Sequence, residues 1–234
     1  MKGENKSVVH TLKLGSLYLD EKPVTSCAEY RSGQTISFGA ATPSKTISWV
    51  PVNGLLIADR CLLTDISWDD IEAQGLVFGR EIELCGFRFR ARLLKVGNSE
   101  GVPNEWDAAL DVVGENDDLW HWEDMFFWGQ ETVAITASAR GWSWSRSSNR
   151  DARLGFRPAL EPLSIDSSDL RPGQKILAIG RAGAVVGTLE DMTHYDLILR
   201  AEPGSPVEGA SFAASLRNGT VAVDRSGVHS LLAV

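Results

Sequence analysis

Hydrophobic and polar positions alternate in short runs along the chain, and the period of the alternation changes several times. Between Phe87 and Leu93, apolar residues at every second position alternate with arginines, which predicts a half-buried strand within a hairpin over 80–95. The segment 64–75 opens with Thr and Asp and closes at Gly75, a pattern typical of a short capped helix. A second short helix, bearing Trp106, is expected over 104–110.

The last third of the chain predicts a different architecture. Five short apolar runs lie between 174 and 224 and are separated by turn residues, among them the hairpin dipeptide Asn218-Gly219. Pro162 and the Ser/Asp cluster after it predict a boundary near residue 163. We therefore predict two domains, 1–162 and 163–234, the second a small all-β barrel or sandwich. Its short edge strands make it a candidate surface for forming a homo-oligomer.

The tryptophans are confined to the predicted first domain, because all eight lie between Trp49 and Trp144. Most are expected in the core, where each large ring buries on the order of 150–250 Å². Trp142 and Trp144 differ from the others, since they lie among Ser, Arg and Gly and would share one face of an extended segment. We predict a Trp/Arg/Ser-rich ligand-binding surface over 138–153, with five candidate residues: Trp142, Trp144, Arg146, Asn149 and Arg150.

An ordered series of motifs extends from residue 54 to residue 162. The motifs are Asn104-Glu105-Trp106-Asp107, Asp118-Leu119-Trp120-His121-Trp122, Phe127-Trp128-Gly129-Gln130, the Arg/Ser/Trp run 139–150 and Gly155-Phe156-Arg157-Pro158. This order resembles the bacterial and phage branch of the C-type-lectin-like fold, which includes formylglycine-generating-enzyme-like domains and the variable ligand-binding proteins of diversity-generating retroelements. The resemblance implies an α+β fold class with little regular secondary structure, and a bacterial or phage setting.

The resemblance also raises the question of catalysis. Formylglycine-generating enzymes bind copper through two cysteines late in the domain, whereas Cys27, Cys61 and Cys85 all lie early in this chain. That activity is therefore not transferred. The four histidines are scattered and no Gly-x-Ser-x-Gly motif is present, so a hydrolase or oxidase would need a site assembled from distant residues.

Calcium is a second metal to consider, after copper. Asn104, Glu105 and Asp107 are residue types found in lectin calcium sites, but their spacing differs from that of the family. Calcium takes six to eight oxygen ligands, so these three residues alone do not complete a site. Capping of a helix by Asn104 is the other interpretation, and no cofactor is expected.

Charge and hydropathy narrow the classes of partner. The chain holds 23 basic and 31 acidic residues, a net charge of −8, which disfavours nucleic acid. No apolar run approaches the roughly 18 residues of a membrane span, and the first residues lack the apolar core of a signal peptide. A cytoplasmic or virion-associated location is expected. Acidic residues concentrate in 104–131 and arginines in 132–161, which predicts either mutual pairing or a charged ligand-facing surface.

These observations favour a non-catalytic protein that binds a protein or glycan ligand. The alternative within the same class is a phage-encoded accessory inhibitor that blocks a host defence or signalling protein. The enzyme alternative, a hydrolase or oxidase, belongs to a different class.

Overall fold

The computed structural model describes residues 10–99, 101–122, 125–141, 145–205 and 207–234. Over these residues the protein is mostly β, with 48% strand and 12% helix arranged in three sheets, one of them a curled half-barrel. The prediction of an α+β fold with little regular secondary structure is therefore wrong. No helix in the described ranges is long and apolar enough to cross a membrane.

Short strands follow one another through nearly the whole of the described chain. The first nine are β1 (Leu12–Leu19), β2 (Lys22–Val24), β3 (Ala28–Glu29), β4 (Ile36–Gly39), β5 (Thr46–Val52), β6 (Leu55–Ala58), β7 (Leu63–Ile66), β8 (Arg80–Leu84) and β9 (Phe87–Leu93). The next five are β10 (Phe127–Val133), β11 (Thr136–Arg140), β12 (Ser145–Asn149), β13 (Leu154–Phe156) and β14 (Pro158–Pro162). The last six are β15 (Lys175–Gly180), β16 (Ala184–Met192), β17 (Asp196–Ala201), β18 (Ala213–Ser215), β19 (Val221–Asp224) and β20 (Val228–Ala233).

Within the described residues, three short α-helices connect the strands: α1 (Trp68–Ala73), α2 (Glu105–Val113) and α3 (Asp117–Trp120). Each begins after a residue whose side chain accepts a hydrogen bond from a backbone N–H of the first turn. In α2 this N-cap is Asn104, which receives the N–H of Asp107 at 2.9 Å. The helix expected around Trp106 and the hairpin expected over 80–95 are both present.

The first sheet has the order β2-β1-β5-β6-β14-β9-β8, with β4 also paired to β1. It curls so that its two ends approach each other, and the Arg80 guanidinium on β8 donates to the Ile36 carbonyl on β4 at 2.7 Å. The second sheet has the order β12-β11-β10-β13-β7-β3 and ends at β12. The third has the order β18-β19-β17-β16-β15-β20 and contains the described strands from Lys175 onward.

The third sheet packs against the first rather than standing apart from it. The N–H groups of Asn53 and Gly54 donate to the carbonyls of Arg181 and Gly180 at 2.8 and 3.0 Å. One cluster of buried side chains joins Leu177 and Leu232 of the third sheet to the core of the first. The division into domains at residue 163 stays a prediction.

Most of the core consists of aromatic and branched aliphatic side chains, as the tryptophan content predicts. Among the tryptophans that the structure describes, five are at most 1% exposed: Trp49, Trp68, Trp106, Trp120 and Trp128. Trp106 packs edge-to-face against both Trp120 and Phe127, with ring centroids 4.8 and 5.0 Å apart. Core packing therefore accounts for these five rings.

The expectation of little regular structure came from the C-type-lectin-like resemblance, and irregular strands left little alternation in the sequence to oppose it. The pairing register shifts within β10 between Trp128 and Thr132, and within β1 between Lys13 and Ser16. A bulge adds a residue and moves the following side chains to the other face of the sheet, which interrupts the alternation that marks a strand in a sequence.

Candidate functional site

Three of the residues predicted to bind a ligand are described by the structure and lie at the free end of the second sheet, on or beside β12. Arg146 and Asn149 are on β12 and are exposed, and Arg150 directly follows that strand. Trp142 and Trp144 lie outside the described residues. Because side chains alternate along a strand, Arg146 and Asn149 point to opposite faces of the sheet. The three described candidates therefore do not form one continuous patch.

Arg150 is held against the first helix rather than extended into solvent. Its guanidinium lies 4.1 Å from the centre of the Trp68 ring and pairs with Asp69 and Glu72 of α1 at 2.5 and 2.6 Å. Its backbone carbonyl accepts the N–H of Trp68 at 2.9 Å. Arg150 thus joins β12 to α1, and much of its charge is already matched.

Arg146 has a different environment. Its guanidinium stacks over the Phe126 ring at 4.1 Å, and no ion pair to it is found in the part of the chain that the structure describes. Stacking orients a guanidinium while leaving its N–H groups available to a carboxylate. Arg146 is therefore the described candidate best placed to meet an acidic ligand group.

A cleft of about 440 Å³ opens between β12 and the tip of the β10–β11 hairpin. It is lined by Asp69, Ala134, Ile135, Asn149, Arg150 and Asp151. Two large apolar side chains project at the tip, Val133 with 65% and Ile135 with 74% of its surface exposed. Between them Ala134 has a φ of 54°, a left-handed conformation that glycine adopts with less strain. Sequence patterns did not indicate this tip, because Thr-Val-Ala-Ile-Thr contains no turn residue and has the pattern of a strand interior.

The edge of β12 carries backbone groups that the sheet itself does not pair. The N–H of Arg150 donates to the Ile135 carbonyl at 3.0 Å, and β12 and β11 pair without a register shift. In an antiparallel ladder hydrogen-bonded pairs alternate, so Ser148 and Arg146 bond to β11 and Ser147 faces away from it. Within the described ranges, no hydrogen bond reaches the backbone of Ser147.

The calcium candidates do not converge on a common point. The Glu105 carboxylate accepts two bonds from Arg92 at 2.8 Å each and the Lys95 N–H at 2.9 Å. Asp107 pairs with Arg140 and accepts a bond from Asn104. Among the described residues, no group of three or more His, Cys, Asp or Glu side chains is placed to hold a metal ion.

Arg92 explains why Glu105 is directed inward. Burial lowers the pKa of Arg92, but the hydrogen bonds and charges of Glu105 and Glu161 outweigh burial and raise it. The guanidinium is 7% exposed and reaches Glu161 at 2.8 Å as well. This three-residue network ties α2 to the first sheet.

A second arginine, Arg157, lies deep in the core. Its guanidinium donates to the backbone carbonyls of Asp59 at 3.2 Å and Trp120 at 2.9 Å, and it lies about 5 Å from the rings of Trp106 and Phe127. Burial lowers the pKa of Arg157, and the neighbouring Cys61 and Asp59 act in the opposite direction. The residue joins segments up to 98 positions apart, so its partners are not local.

The segregation of charge is resolved in part by these contacts. Arg140 pairs with Asp107 of the acidic segment, as mutual pairing predicts. Arg150 and Arg153 instead pair with acidic residues of the helix α1. The arginines of 132–161 therefore pair partly with the acidic segment 104–131 and partly with α1. Arg146, on β12, is exposed.

Comparisons of the chain with known protein families, curated proteins and solved structures found no match.

Proposed function

We propose that this chain is a non-catalytic protein-binding module that holds an extended segment of its partner along the outer edge of β12. The observation that carries the proposal is the outward-facing backbone of Ser147 beside the exposed tip residues Val133 and Ile135. Strand addition of this kind takes affinity from backbone hydrogen bonds and specificity from neighbouring side chains.

The surroundings of the edge indicate what the added strand would contain. The hairpin tip offers apolar contact through Val133 and Ile135. One exposed apolar side chain is common on a protein surface, but these two lie on either side of the strained Ala134, beside a cleft, and form a localised apolar surface. Arg146 offers a positive charge already oriented by Phe126. The partner segment is therefore extended, with an apolar residue near the tip and an acidic residue opposite Arg146.

An edge strand left open is normally protected by charge, proline or a covering loop. Proteins use these devices because open edges promote aggregation. In β12 the described residues facing away from β11 include Ser147, a small side chain that leaves the backbone accessible. The exposed charge of Arg146 on the same strand disfavours purely apolar strands, so the edge favours a segment that carries an acidic residue.

The test begins with selection of extended peptides from a random peptide library against the full chain. Selected peptides are then titrated by fluorescence anisotropy against the parent and two variants. Ser147→Pro removes the outward N–H without touching the ladder to β11, and should weaken binding about tenfold or more. Ile135→Asp removes the apolar contact and should have a similar effect of about tenfold.

Two matched controls separate the edge from general damage. Ser147→Ala keeps the backbone donor, and Tyr195→Asp places the same charge on a side chain that is 73% exposed in the third sheet region. Both should bind like the parent. Methylating alternate backbone nitrogens of the peptide should abolish binding if a strand is added. Equal binding by all variants, or a library without a binder, would overturn the proposal.

The remaining expectations stay predictions. They comprise the C-type-lectin-like resemblance, a glycan as the ligand, the homo-oligomer through 163–234, the phage-encoded inhibitor and the cytoplasmic or virion-associated location. If the chain is such an inhibitor, the edge of β12 would be its blocking surface.

A further inference from the structure

A second cleft, of about 470 Å³, lies on the first sheet between the β5–β6 hairpin and the beginning of α2. Apolar side chains from both sides line it: Val52, Leu55, Ile57, Pro103 and Ala108. We propose that this cleft binds a small amphipathic carboxylic acid, with the apolar body against Leu55 and Ala108 and the carboxylate against Lys95.

Lys95 is the one cation among the described residues that line the cleft. Its side chain is exposed, and no acidic partner for it is found within the described chain. Its position is fixed by the backbone, because the Lys95 carbonyl accepts the N–H groups of Glu105 and Trp106 at 2.9 and 3.3 Å. The backbone of Lys95 is thus fixed at the rim beside the first turn of α2, and its exposed side chain extends from that point.

The other polar groups in the lining are already satisfied. The Glu105 carboxylate accepts two hydrogen bonds from Arg92, and the Asn53 amide donates to the Ala108 carbonyl at 3.3 Å. Asn104 donates to the Val102 carbonyl and to Asp107. Among the described residues, an incoming ligand therefore meets apolar walls, the exposed Lys95 side chain and a Glu105 carboxylate already paired with Arg92. A carboxylate on an apolar body is complementary to the first two.

Size and chemistry narrow the ligand further. The volume lies within the roughly 300–1,000 Å³ that is usual for small-molecule sites. An inorganic anion such as phosphate would need several convergent donors, whereas the described lining supplies one ammonium group. A medium-chain aliphatic acid satisfies both the apolar lining and the single charge.

The experiment titrates the full chain with octanoate and, separately, with octan-1-ol, followed by calorimetry and by ligand-observed NMR. Ala108→Phe fills the cleft and should abolish octanoate binding. Lys95→Gln should weaken octanoate about fivefold, as expected for a solvent-exposed charge pair, and leave octan-1-ol unchanged. If Lys95 contacts the carboxylate, the Lys95→Gln variant should lose the parent's preference for octanoate over octan-1-ol.

Matched controls use the same substitutions elsewhere. Ala73→Phe alters an exposed alanine on α1, and Lys22→Gln removes an exposed lysine of β2. Both should bind octanoate like the parent. The proposal is overturned if the parent does not bind octanoate at millimolar concentration, if Ala108→Phe binds it as well as the parent, or if the parent binds acid and alcohol equally. None of these results bears on the edge of β12, which lies on another sheet.

Discussion

Arg150 and Arg157 both lie against a tryptophan ring, yet they occupy opposite kinds of environment. Arg157 is 1% exposed and donates to main-chain carbonyls in the core, whereas Arg150 retains 27% of its side-chain surface and pairs with two carboxylates of α1. The difference is in what each arginine holds: Arg157 joins loops that would otherwise bury unpaired carbonyls, and Arg150 positions a strand that borders a cleft.

This contrast shows that an aromatic neighbour does not by itself distinguish a binding arginine from a structural one. The partner atoms do. A guanidinium committed to buried carbonyls cannot be withdrawn without leaving them unpaired, which costs about 1–3 kcal/mol for each group. A guanidinium paired with exposed carboxylates leaves those partners in contact with water when it is removed.

Of the substitutions that test this comparison, the one at Arg157 should have the largest effect on stability. Arg157→Met keeps much of the volume but leaves the carbonyls of Asp59 and Trp120 without their donor. We expect the free energy of unfolding to fall by about 3 kcal/mol or more, measured by urea denaturation. The control is Arg217→Met, at an exposed position. A loss below about 1 kcal/mol would contradict the structural role.

A smaller effect is expected at Arg150. Arg150→Met retains contact with Trp68 and loses the pairs with Asp69 and Glu72, so stability should fall by about 1 kcal/mol at low salt. Because salt screens exposed pairs, the difference from the parent should shrink at high ionic strength. A loss as large as that of Arg157→Met, unchanged by salt, would remove the distinction between the two arginines.

The smallest effect concerns the hairpin tip that Arg150 adjoins. Ala134→Gly relieves a left-handed alanine, and the gain is offset in part by the greater freedom of glycine in the unfolded chain. Thermal unfolding should show a net stabilisation of about 0.5 kcal/mol. A looser tip should also bind a selected peptide less tightly. A fall in stability would argue that Ala134 makes contacts that φ alone does not reveal.

Local elements were the part of this protein that sequence patterns could predict. The alternation from Phe87 to Leu93 predicted the β8–β9 hairpin, and Asn104 predicted the start of α2, because both depend on neighbours within a few residues. Burial of most tryptophans followed from their size. Composition singled out Arg146 and Asn149 as binding candidates, which stays a prediction, and it did not indicate the face of the sheet that each one occupies.

Sheet assembly was beyond the sequence because it depends on pairs that are distant along the chain. β14 pairs with β6 and β9, and β13 pairs with β7, and bulges disturb the period that would have marked some of these strands. The C-type-lectin-like resemblance implied little regular structure where the fold contains long-range ladders. The hairpin tip was missed for the same reason, since only the turn between β10 and β11 exposes Val133 and Ile135.

Composition and short-range pattern therefore determined the hairpin over 80–95, the helix around Trp106 and the burial of most tryptophans, since these follow from periodicity, capping and side-chain size. The tertiary structure alone decided that Arg157 is structural, that Glu105 faces Arg92 rather than a cation, and that Ser147 lies on an open edge. Each of these depends on the atoms brought to a side chain from elsewhere in the chain. The partners of a charge or a backbone group are chosen by three-dimensional packing, on which one-dimensional order places few limits.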